Sequence, residues 1–270
     1  MLSDQEVALR DATEDSARLI LEGGHVESWV EGSIYPSEMA FFLASCNVAN
    51  VSRVIESGRQ DGYSTNILGD WASRAADRRV VSIDLESDAK RAEVCRGRLA
   101  RWTSLKLVKG NAYSEFGRVA NAHTSARTAF LLDGPKQAQA ISIMAAALND
   151  NVQIVSMHNL VAGARDYEFF TELGGANIFY ESAILEPGPN WLELRQRDAA
   201  HARKVGATRP VDLSQIGVLV LNPETRAKMR GSVNPWFGLH QPFAVRAIWW
   251  ARAYNFAPKL YGLSYKLLGR

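Results

Sequence analysis

Apolar and polar positions alternate along this chain with two different periods, and from residue 51 onward the two take turns. The run VSRVIES is followed by a helical pattern over 64–76. VVSIDL is followed by one over 88–101, LKLVKG by 113–122, TAFLLD by 137–149 and VQIVSM by 166–173. Each short run is almost continuously hydrophobic, the mark of a strand covered on both faces. Five such strands alternating with helices predict a parallel sheet with helices on either side, a doubly wound, Rossmann-like α/β domain. Ahead of it the pattern predicts a helix over 3–22, a break at Gly23 and Gly24, and a second helix starting near Pro36 with Met39, Phe42 and Leu43 on one face. Beyond it, ANIFYESAIL at 176–185 and IGVLVLN at 216–222 read as two further strands, giving seven. The polar stretch between them, with a Pro-Gly-Pro turn at 187–189, reads as a functional or mobile insertion. The chain divides into N-terminal lead-in helices (1–50), a central domain (51–223) and a C-terminal extension (224–270).

Composition agrees with a folded globular protein: 270 residues, 47% hydrophobic and 22% charged, enough to bury a full core. The formal charge of +2 conceals a split. From Glu224 onward there are eight Lys or Arg and one acid, whereas the first 223 residues carry 23 bases against 28 acids. The basic extension is also aromatic, with Trp236, Phe237, Phe243, Trp249, Trp250, Tyr254, Phe256, Tyr261 and Tyr265, and a helix over 242–255 would align Phe243, Ala247, Trp250 and Tyr254. Three readings stay open for it: packing on the domain or in a homodimer interface, peripheral attachment to an anionic membrane surface, and single-stranded nucleic acid. The acidic body disfavours the last. Cys46 and Cys95 fall in helical segments without metal-ligand spacing and read as buried thiols suited to a reducing cytoplasm. The acidic, polar start and the absence of any apolar run near ~20 residues predict neither secretion nor a membrane span.

Candidate chemistry begins at VIESGRQDGYST, residues 54–65, the turn after the first strand of the central domain. Ligands of open α/β sheets bind beyond the carboxyl ends of strands, where strand order reverses. Gly58 and Gly62 suit a sharp turn and close backbone approach, Ser64 and Thr65 suit a helix cap, and Glu56 reads as an acceptor facing the crevice. A carboxylate there would repel a pyrophosphate and welcome an ammonium or sulfonium, which argues against a dinucleotide. Asp84, at the tip of the second strand, is placed to accept hydrogen bonds from ribose hydroxyls.

These residues resemble class I S-adenosylmethionine-dependent methyltransferases, specifically the small-molecule O-methyltransferases of the caffeoyl-CoA, catechol and macrocin types. The resemblance covers about residues 33–223. IESGRQDGYST resembles the family's E-x-G-x-x-x-G-x-S-T, YPSEMAFFLAS its preceding helix, VKGNAYSEF the turn after strand three and FLLDGPK the end of strand four. The resemblance implies a mostly parallel seven-stranded sheet with an antiparallel last strand. It further implies S-adenosyl-L-methionine as cofactor, held by Glu56, Gly58, Gly62, Ser64, Asp84, Asn111, Ala112 and Asp133, and as substrate a hydroxyl of a small-molecule, sugar or natural-product-like acceptor, a glycan among them.

For catalysis, Asp133 and His158 are the candidates: His158 as the base that takes the acceptor's proton, Asp133 orienting it. Relatives of this type often use a divalent metal held by the strand-four aspartate and an Asp-Asn or His-Asp pair after strand five. Here the second place reads SMHNL, so magnesium would have Asp133 and Asn159, with His158 where an acid is expected. That lowers the charge of the site and weakens the case for a metal. His25, His123, His201 and His240 read as surface groups. The competing class is a non-catalytic or differently catalytic nucleoside-binding protein that uses its extension to bind a membrane or partner.

Overall fold

The computed structural model describes residues 4–122, 125–135, 137–184, 186–205 and 214–236. Most of the C-terminal extension, with the helix expected over 242–255, lies outside them, as do His123 and His240. The order of elements is α1 (Asp4–Glu22), α2 (Pro36–Val48), β1 (Arg53–Ser57), α3 (Tyr63–Ser73), β2 (Arg79–Asp84), α4 (Ala89–Leu99), β3 (Leu105–Lys109) and α5 (Ala112–Asn121). There follow β4 (Thr128–Leu132), α6 (Gln137–Ala147), β5 (Val152–Val161), α7 (Arg165–Gly174), β6 (Ile178–Tyr180), α8 (Pro189–Lys204), β7 (Ser214–Val220) and α9 (Pro223–Trp236).

The seven strands form one sheet in the order β3-β2-β1-β4-β5-β7-β6. β1 to β5 are mutually parallel, and β7 runs antiparallel between β5 and β6. This is the architecture expected, and strand order reverses between β1 and β4. Strand alternation sorts the core onto two faces. Val54, Leu131 and Ile154 face α1, α2 and α3 and pack with Ile20, Phe41, Phe42, Ile67 and Trp71. Their neighbours Ile55, Phe130 and Val155 face the other side and pack with Phe116, Ile141, Met144 and Phe170 of α5, α6 and α7. β1 and β4 are buried at every residue, whereas the edge strand β3 turns Lys106 and Lys109 to solvent.

Three details differ from the sequence reading. α2 is buried along Pro36–Cys46 on all sides and not on one face, because α1 and α8 cover the side turned away from the sheet. The 186–215 stretch carries the 16-residue helix α8, whose Trp191, Leu194 and Ala202 are buried. Glu14 of α1 closes its first turn, accepting from Asn190 N at 2.9 Å and Trp191 N at 3.1 Å. The strand expected over 176–185 is limited to Ile178–Tyr180, since the chain then turns through Glu181–Ala183 to carry Glu181 into the interior. The histidines differ as well. His25 is buried between Asp70 and Asn66, and His201 stacks on Trp29 with ring centroids 4.8 Å apart. No helix among the described residues is long and apolar enough to cross a membrane.

Candidate functional site

The carboxyl ends of β1, β2, β3, β4 and β5 bring Ser57, Asp84, Lys109, Asp133 and His158 to one edge of the sheet. The turn after β1 is built first by its own carboxylate. Glu56 is completely buried and lies beside Ser82 of β2 in register. It accepts from Ser64 Oγ and Thr65 Oγ1, each at 2.5 Å, and from Ser82 Oγ at 2.6 Å. Burial pushes its pKa up while the hydroxyls hold it down. Glu56 therefore does not face the crevice, and Ser64 and Thr65 do not cap α3. The N-cap is Gly62 at φ 77°, and the two hydroxyls tie the first turn of α3 to β1.

Gly58, at φ 92°, is required for a different close approach from the one expected. A Cβ there would lie 2.5 Å from Gly134 N and 3.0 Å from the Asp133 carbonyl carbon, so it is the turn after β4 that presses on it. Ser57 O accepts from both Asp133 N at 2.9 Å and Gly134 N at 3.1 Å, which stitches the two turns together at the point where strand order reverses. Arg59, which the sequence did not single out, is buried. It donates to Ser82 O at 2.7 Å and to Glu86 Oε1 at 2.5 Å, closing the turn over β2.

Asp84 is half-buried at the tip of β2, with Oδ2 accepting from Gln60 N at 3.1 Å and Oδ1 from Glu86 N at 2.7 Å. Each oxygen takes one backbone donor, which leaves acceptor capacity for hydroxyls. Asn111 caps α5, accepting from Tyr113 N at 3.0 Å, and it and Ala112 are buried beside the end of β3.

The second half of the site differs most from expectation. His158 is 6% exposed, with Nδ1 2.8 Å from Asp133 Oδ1 and Nε2 3.0 Å from Glu38 Oε2. Burial alone would lower its pKa, but the two carboxylates more than offset that and raise it to about 9. With both nitrogens engaged and a proton held at neutral pH, the ring is not placed to act as a base. Asn159 is exposed at φ 63°, on the irregularity where β5 shifts register against β7 between Met157 and Leu160. Among the described residues no three His, Cys, Asp or Glu side chains converge as a ligand set. Asp133, proposed as a magnesium ligand, is buried and bonded to His158, whereas Asn159 is exposed.

Around the first turn of α2 lies a group of acids that the sequence reading missed. Ser37 N donates to Asp198 Oδ2 at 3.1 Å and Ser37 Oγ to Glu181 Oε1 at 3.1 Å, while Arg195 pairs with Glu181. Burial, reinforced by the Glu38 charge, pushes Glu181 up to about 8. Burial likewise pushes Asp198 up to about 7, against the pull of its bonds to Ser37. The fold keeps protons on both acids that the unfolded chain loses near pH 4, so stability falls as pH rises from about 4 through 7 and 8. His158 acts in the same direction: its contribution is complete below about 6.5 and lost as pH rises through 9. The melting temperature is therefore expected to be several degrees lower at pH 9 than at pH 6, with a flatter profile in an E181Q/D198N double variant; calorimetry at both pH values checks this.

No family model matches the chain, and no curated protein does. Solved structures do. An O-methyltransferase from Bacillus cereus in complex with SAH is 14% identical, with 77% of this chain and 91% of that one covered and a TM-score of 0.44. The O-methyltransferase TomG from Streptomyces achromogenes, involved in tomaymycin synthesis and crystallised with SAM, is 16% identical over 78% of this chain and 90% of that one, at 0.43. An SAH-bound methyltransferase from Podospora anserina is 12% identical over 82% and 89%, at 0.41.

Proposed function

We propose that this protein is an S-adenosylmethionine-dependent O-methyltransferase acting on a hydroxyl of a small-molecule or glycan acceptor. The observation that carries the reading is the sequence of groups along one edge of the sheet. The glycine turn after β1, Asp84 at the tip of β2 and Asn111 after β3 stand on successive strands, about 5 Å apart, beside the switch point. In this reading Asp84 accepts the ribose hydroxyls, and the buried edge at Asn111 and Ala112 receives the adenine. The first turn of α3, held by Glu56 through Ser64 and Thr65, offers backbone N–H groups and a helix dipole to the carboxylate of the amino acid end. The cofactor supplies a methyl group activated by a sulfonium charge. Asp133, at the end of β4, takes the proton of the acceptor hydroxyl, and His158 orients its carboxylate through Nδ1.

Calorimetric titration with S-adenosylhomocysteine and, separately, NAD tests the cofactor. Wild type is expected to bind the former at micromolar Kd and not the latter. Asp84→Ala is expected to weaken binding by about 10- to 100-fold, the worth of hydrogen bonds to a charged acceptor. Absence of S-adenosylhomocysteine binding in wild type overturns the reading.

A further inference from the structure

We propose that Glu38, in the first turn of α2, is a positioning residue that acts on Asp133 through His158, making the lead-in helix part of the reaction machinery. This rests on the methyltransferase reading for its purpose, though its geometry stands independently.

Glu38 is 1% exposed, and its Oε2 does two things at once. It accepts from Tyr35 N at 2.9 Å, completing a capping box at the start of α2, and it lies 3.0 Å from His158 Nε2. The capping box alone does not explain the residue, because glutamine fills that position as well as glutamate and brings no charge into the interior. Burying a carboxylate costs several kcal/mol unless it is paired, and the partner here is the imidazole. That partner is in turn bonded through Nδ1 to Asp133 Oδ1. Carboxylate oxygens accept, so the arrangement calls for a ring that donates from both nitrogens. An imidazole held at one nitrogen can still swing about its Cβ bond or exchange tautomers; held at both, it has one orientation and one proton pattern. Glu38 thereby fixes the ring, and the ring fixes the oxygen of Asp133 that it meets. Glu38 and His158 are 120 positions apart in sequence, yet the start of α2 cannot shift without moving His158.

The test uses the full chain labelled with nitrogen-15 at histidine. Wild type is expected to show two solvent-protected imidazole N–H resonances that both vanish in H158Q. In E38Q the Nε2–H resonance is expected to be lost to exchange, and the Nδ1–H resonance facing Asp133 to move, although Glu38 does not touch that nitrogen. In D133N the complementary pattern is expected, which keeps the test open should E38Q not fold. Fewer than two protected N–H resonances that vanish in H158Q, or an Nδ1–H resonance unmoved in folded E38Q, overturns the proposal. S-adenosylhomocysteine titrations run alongside separate the two readings. Binding by wild type and by E38Q within about twofold is expected, because Glu38 lies outside the cofactor groups, and a difference of that size is below 0.5 kcal/mol. If wild type does not bind, the methyltransferase reading fails, and with it the purpose assigned to Glu38, while the N–H pattern still decides the geometry.

Discussion

Gly58→Ala is expected to lower stability by more than about 3 kcal/mol and to abolish or weaken S-adenosylhomocysteine binding by at least about tenfold. Two costs combine. The φ of 92° is one that L side chains avoid, at roughly 1–2 kcal/mol. The added Cβ also meets backbone at 2.5 Å on Gly134 N, and backbone cannot rotate away as a side chain can. The turn after β4 has to move, and Asp133, hydrogen-bonded through its own N–H to Ser57 O, moves with it. Gly163→Ala is the control. Its φ is similar at 80°, but nothing lies within 4 Å of its Cβ position, so only the conformational cost of roughly 1 kcal/mol applies. Urea denaturation of both variants, with titration of the ligand, measures the difference. Equal effects from the two glycines would show that the contact between the turns is unimportant.

His158→Leu is expected to cost about 3–5 kcal/mol at pH 8, the range for removing one partner from a buried ionic group. The loss arises from what remains: Glu38 and Asp133, both buried, lose the donor they share and face each other as like charges. Because the stabilisation that His158 gains from the two carboxylates is complete below about 6.5 and lost as pH rises through 9, the cost is expected to be larger at pH 5 than at pH 8, whereas the cost of a simple cavity does not change with pH. Urea midpoints of wild type and variant at the two pH values separate these possibilities. A deficit that stays constant with pH would mean that His158 contributes by packing alone.

Much of the fold was legible because parallel strands in the middle of a sheet have no polar face to hide. VSRVIES and TAFLLD announce themselves by continuous hydrophobicity, and both become fully buried strands. α8 was not legible as a helix, since its interior positions include Asp198, an acid where the apolar period wants a hydrocarbon. His25 misled in a similar way, because a histidine beside two glycines reads as a loop tip until Asp70 and Asn66 arrive from α3. At the site, residue types were easier to read than directions. Glu56 was recognised as important, but its orientation depends on Ser82, 26 residues later, standing beside it in register. Asp133 and His158 meet in the structure, yet the second carboxylate on the ring comes from a helix 120 residues upstream in the chain. YPSE carried a legible capping signal; nothing local said that the same oxygen would serve a histidine.

The bond from Ser37 N to Asp198 spans 161 residues, and the one from Asn190 N to Glu14 spans 176. During synthesis α1 and α2 are made before α8, so the face of α2 that α8 covers waits uncovered while β1 to β6 are still being made. Entropy of closing so long a loop has to be met before these contacts reward it, which places the helical layer late in folding. The face of α2 that α8 covers thus stays open until α8 has been made. Loss of Asp198 or Glu14 is therefore expected to slow the docking of α8 as well as to loosen the finished fold.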